Sequence, residues 1–122
     1  MKFAKVVFLI AGIAGVVELT PLFFVSGTIG RQDPPALTHP EFYFGFLGVT
    51  LVWQFVFLVI ATDPLRYRPI MALSVFEKLS FILTTALLFL LGRLTVSESA
   101  MAVPDAALSV LFVISFLKTR PA

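Results

Sequence analysis

The chain has 122 residues, of which 59% are hydrophobic and 13% charged, and its mean hydropathy is +1.03. A soluble domain carries roughly twice that charged fraction on its surface, so a water-soluble class is excluded and a membrane protein is expected. The absence of cysteine excludes disulfides, thiolate chemistry and Cys-based metal sites, and the single histidine, His39, excludes a bis-His haem or multi-His centre within one chain. No cofactor or bound metal is expected, and a net charge of +2 gives no reason to expect a nucleic-acid partner.

Four apolar stretches follow in chain order, roughly 4–25, 42–62, 70–92 and 101–117. A helix rises about 1.5 Å per residue, so about 20 residues cross a hydrocarbon core of about 30 Å. The first three stretches are long enough and the fourth is marginal. The lipid environment favours helices, which satisfy every backbone group within the segment. The first stretch also reads as a signal peptide, with a basic start and an apolar middle, but the apolar run continues past Glu18 and no clear A-x-A site follows.

The connections are short apart from "SGTIGRQDPPALTHPE" (26–41), so the expected architecture is one domain, 1–122, all-α, an integral membrane four-helix up-down bundle. "DPLRYRP" (63–69) reads as a tight turn bracketed by Pro64 and Pro69. With four spans, Lys2, Lys5, Arg66, Arg68, Lys118 and Arg120 fall on one side, against Arg31 and Arg93 on the other. That asymmetry places both termini in the cytoplasm and suggests a bacterial inner (cytoplasmic) membrane.

Polar residues inside such spans are the candidate functional groups. Glu18 lies past the midpoint of the first span, with Pro21 following within a turn. An acid in hydrocarbon must face the bundle interior, find a partner or hold a proton. It reads either as a proton- or ligand-binding acid or as a buried carboxyl bonded to a neighbouring helix. Gln54 and Glu77 sit at similar depth on consecutive antiparallel spans, which suggests a hydrogen bond between them, either as helix–helix glue or as part of a ligand site. Trp53, with fourteen Phe residues in the chain, suggests an aromatic pocket or plain packing. Lys78 is expected to diverge from Glu77, since consecutive helical residues point about 100° apart, and to face lipid or another helix while reaching toward the cytoplasmic headgroups. An alternative span, Leu79–Val96, leaves the Glu–Lys pair at the interface.

Toward the outer side, His39, Glu41 and Asp105 form a candidate polar cluster. His39 and Glu41 flank Pro40, and Asp105 follows Pro104. Convergence with Glu18 would give a proton relay or a metal site, whereas helix N-terminus electrostatics is the simpler reading of Glu41 and Asp105. Ala11-x-x-x-Gly15 and Gly45-x-x-Gly48 present small faces suited to close helix contact, within the bundle or in a homo-oligomer.

"AGVVELT" (14–20) resembles the acid-bearing first helix of the small multidrug resistance transporters, with small residues before a Glu and a Thr soon after. The match covers one helix; DPLRYRP and the proline-rich outer segment do not follow that family's pattern. The resemblance implies that Glu18 serves as a shared proton and substrate site. The leading expectation is a protein that binds or translocates a small apolar or cationic molecule at an internal polar pocket of Glu18, Trp53, Gln54 and Glu77. Such a protein would have membrane lipids around it and a homo-oligomer or a partner membrane subunit as further partners. The alternatives are a non-catalytic accessory or assembly subunit, and a lipid-modifying enzyme using His39, Glu41 and Glu18. The catalytic reading is the weaker one because no complete constellation is present.

Overall fold

The computed structural model describes residues 2–24, 40–100 and 102–120, and every regular element among them is helical. Helix α1 spans Lys2–Leu19 and tightens into a 3₁₀ turn over Thr20–Phe24. Pro21 explains the change: it has no N–H for the i→i−4 ladder, so the α-helix stops just before it. Helix α2 spans Pro40–Thr62, with Pro at its first position, where a missing N–H costs nothing. Helix α3 spans Arg68–Leu90 and again has proline in its first turn, Pro69. A single helical turn, Val96–Ser99, precedes helix α4, Ala102–Lys118.

The first three helices are each long and apolar enough to cross a membrane. Their bounds lie within two residues of the apolar stretches at most ends. Helix α3 runs unbroken through Glu77 and Lys78 and ends at Leu90, so it does not extend to Val96 as the alternative Leu79–Val96 span expects. It stops where the chain turns left-handed at Gly92, with φ of 73°. There the amide of Gly92 bonds to the carbonyl of Phe89 at 3.0 Å and the amide of Arg93 to that of Leu88 at 2.9 Å. This is the Schellman pattern, which satisfies carbonyls that a helix end would otherwise leave unpaired.

Two intimate helix pairs make up the bundle, α1 with α2 and α3 with α4; α1 also packs on α4, while α2 and α3 touch sparingly. Small residues set the first pair. A Cβ at Gly12 would lie 2.6 Å from Leu58 Cδ2 and 2.8 Å from the Gln54 carbonyl, and a Cβ at Gly15 would collide with the Gln54 amide. The Ala11-x-x-x-Gly15 face therefore docks α1 on α2, whereas a Cβ at Gly45 or Gly48 would meet no atom of the described residues within 4 Å. In the α3–α4 half, buried Ser74, Ser109 and Ser115 bond back to carbonyls of their own helices at 2.8 Å, so small polar residues are buried there without demanding a cross-helix partner.

Contacts between helix ends fix the up-down arrangement. The Arg68 side chain, at the start of α3, donates from Nε to the Phe116 carbonyl near the end of α4 at 3.1 Å and stacks on its ring at 3.7 Å. Lys118 lies 4.7 Å from the Phe3 ring at the start of α1. The N-terminus of α1, the 63–67 turn and the C-terminus of α4 therefore share one end of the bundle. Lys2, Lys5, Arg66, Arg68, Lys118 and Arg120 gather at that end, and Arg93 lies at the other.

That end is solid. Phe8, Phe57 and Phe112 are fully buried. Phe8 and Phe112 stack at 4.3 Å, and Phe57 meets them edge-on at 5.9 and 5.0 Å. Ala4, Ile60, Ala61 and Met71 complete this core. The other half of the bundle is hollow.

Candidate functional site

Above the phenylalanine core, all four helices surround a cavity of about 960 Å³. Helix α1 contributes Ala11, Gly15 and Glu18 to its wall, and α2 contributes Phe46, Trp53 and Gln54. Helix α3 adds Glu77, Lys78, Phe81 and Thr85, and the first turns of α4 add Asp105 and Leu108. The wall is mainly apolar and aromatic, with a few convergent polar groups, which is the usual make-up of a small-molecule site. Where α2 and α3 meet sparingly, Phe46 and Phe81 stack across the seam at 6.0 Å.

Lys78 occupies the inner part of this cavity. Its side chain is only 5% exposed, and Nζ lies 3.3 Å from Asp105 Oδ1 and 3.7 Å from Glu77 Oε2. The same ammonium lies 5.2 Å from the centre of the Phe57 ring. The sequence-based expectation that Lys78 turns away from Glu77 toward headgroups is therefore wrong. Neighbouring Cβ atoms do diverge, but the four-carbon Lys stem is long enough to swing back beside the carboxylate next to it. A buried ammonium is costly without partners, and the two carboxylates with the aromatic face supply them.

The partner that sequence spacing missed is Asp105. Helix α4 has 17 residues, about 26 Å at 1.5 Å per residue, and its C-terminus is tied to the starts of α1 and α3. Its N-terminus therefore stops short of the far end, and Asp105 is lowered to the level of Lys78. The marginal length of the last apolar stretch was the available signal. Asp105 also lies in the first turn of α4, where a negative charge complements the helix dipole, so the two roles coexist.

Gln54 is buried, and its amide donates to the Thr50 carbonyl of its own helix at 2.9 Å. It shares the cavity with Glu77, as equal depth requires, but the bond described for its amide nitrogen is not to Glu77. Glu77 Oε2 is buried and accepts no hydrogen bond among the described residues, which leaves the Lys78 ammonium as its electrostatic partner. Glu18 is exposed, on the same cavity but farther from the solid end. It lies sixteen residues into α1 and Glu77 nine into α3, which separates them by about 10 Å along the bundle axis.

Glu18, Trp53, Gln54, Glu77 and Asp105 are thus brought together around one space, and Lys78 joins them. Glu41 sits exposed in the first turn of α2 and is not part of the cavity wall. His39 lies outside the described residues. Among the described residues, no group of three or more His, Cys, Asp and Glu side chains is placed to hold a metal ion.

Three carboxylates face one ammonium in the cavity, so its formal charge is negative. Beside apolar helix walls, that surplus favours a cation. Compared with protein-family models, characterised proteins and solved structures, the chain matches none.

Proposed function

We propose that this chain is an integral membrane protein of four spans, both termini cytoplasmic, that binds and translocates a small amphipathic cation through its central cavity. Glu18 is the group at which ligand and proton alternate. One observation carries the reading: an apolar, aromatic-lined cavity that holds more carboxylates than ammonium groups. The surplus charge selects a cation, and Phe46, Trp53 and Phe81 offer faces to its apolar part and to its charge. Among the described residues, Glu18 is the carboxylate there with no cation beside it, and it is exposed on the space a ligand would enter. Cation entry releases its proton, and cation exit allows it to be reprotonated. The concentration of Lys and Arg at the end that carries both termini supports the cytoplasmic placement, as in a bacterial inner membrane.

The test is uptake of a lipophilic cation into liposomes under an imposed proton gradient. Glu18→Gln removes the exchangeable charge at nearly constant volume, and the expected result is a folded bundle with no proton-linked uptake. Undiminished uptake in that variant overturns the reading.

A second reading is favoured by Gly48 of α2, which is not part of the cavity wall and where an added Cβ would meet no atom of the described residues within 4 Å. An accessory subunit of a membrane complex would dock its partner helix there, and it would co-purify with that partner in fixed stoichiometry.

A further inference from the structure

The inner end of the cavity has the construction of an ammonium receptor. Carboxylates from two helices, Glu77 of α3 and Asp105 of α4, and the ring of Phe57 from a third converge on one point. The group at that point is the ammonium of Lys78, at 3.3 Å from Asp105 Oδ1, 3.7 Å from Glu77 Oε2 and 5.2 Å from the ring centre. We infer that Lys78 is the tethered occupant of a cation site, and that by filling it Lys78 limits the external ligand to a single positive charge. The inference rests on the cation-binding reading above.

Three observations support it. The Lys78 side chain is 95% buried, yet it belongs to the cavity wall rather than to the phenylalanine core. Its two carboxylates keep 14% and 24% of their side-chain surface, so the receptor opens on the space a ligand would occupy. The remaining carboxylate, Glu18, lies about 10 Å farther out along the axis. A ligand with one ammonium group fits at Glu18 with its apolar part among Phe46, Trp53 and Phe81. A second ammonium on the same ligand, reaching inward, would meet the Lys78 ammonium, and like charges brought together at a binding site weaken binding strongly. With Lys78 gone, the same inner point would present two carboxylates and an aromatic face, and a second positive charge would be welcome there.

The experiment uses the purified full chain and its Lys78→Ala variant, which loses the atoms that propylammonium carries. Propylammonium is expected to raise the thermal stability of Lys78→Ala saturably, by mass action on the folded state, and by clearly more than it raises that of the parent chain, whose inner site Lys78 already fills. Propanol, of similar size and uncharged, is expected to do nothing. If the variant accumulates only when propylammonium is present throughout purification, that dependence is itself the expected result. In parallel, the parent chain should bind hexylamine about tenfold more tightly than hexamethylenediamine, and Lys78→Ala or Lys78→Met should reverse the preference.

Equal effects of propylammonium and propanol, or an unchanged preference for the monoamine, overturn the inference. A parent chain that binds neither amine overturns the cation-binding reading instead, while the propylammonium arm still reports on the Lys78 site.

Discussion

Phe112→Ala tests what holds the solid end together. In a water-soluble core this change costs about 3–5 kcal/mol, much of it because the ring passes from protein to water on unfolding. Helices that separate within a bilayer or micelle expose the ring to hydrocarbon instead, and lipid tails are as apolar as the core. That transfer contribution drops out. What is lost is the 4.3 Å stack on Phe8 and the 5.0 Å edge-on contact with Phe57, each worth about 0.5–1.5 kcal/mol. The expected cost is therefore about 1–3 kcal/mol from these two contacts. Reversible unfolding in mixed micelles of rising SDS fraction measures it, and Trp53, 6.2 Å from Phe57, reports by fluorescence. A loss of about 5 kcal/mol, typical of a ring leaving a core for water, would refute the reasoning, because Phe112 would then have to enter water when the bundle opens. No loss would mean that the three rings do not hold the helices.

Gly15→Leu drives a side chain into the Gln54 amide and should cost about 1–3 kcal/mol in the same titration; Gly48→Leu, in open space, should stay within about 0.5 kcal/mol. A change of oligomeric state in Gly48→Leu would instead mark that face as docked. Gly92→Ala forces a Cβ into the left-handed region at φ of 73°, and it should cost about 1–2 kcal/mol without altering cation binding; an unchanged midpoint would show that α3 can end without the Gly92 turn.

Length and hydropathy made the helices legible, and the prolines sharpened their starts: Pro40 and Pro69 fall in first turns, while Pro21 marks the end of α1. The depth of Gln54 and Glu77 was also legible, because a tight five-residue turn between α2 and α3 puts residues equally far from it at one level. Side-chain direction was not. Helical angle places Cβ atoms, and it says little about where the end of a Lys stem lands, so the Glu77–Lys78 pair was dismissed although the structure forms it. Asp105 was missed as the partner of Lys78 for a different reason. Its depth depends on how far α4 is drawn toward the opposite end, which Arg68 and Phe116 decide through a contact 48 positions apart in sequence. The small-residue faces gave the reverse lesson. Two similar patterns are visible, and among the described residues only Ala11-x-x-x-Gly15 meets a partner helix.

The uneven packing of the four helices has a mechanical consequence. Each helix pair is closely packed within itself, and the two pairs meet along α1–α4, while the 63–67 turn ties α2 to α3 at one end of their seam. A small rotation about the α1–α4 contact changes the α2–α3 gap most at the end away from that turn, and the intimate helix pairs least. Among the described residues, the seam bridged by Phe46 and Phe81 is therefore the least closely packed, and widening it there disturbs the fewest contacts.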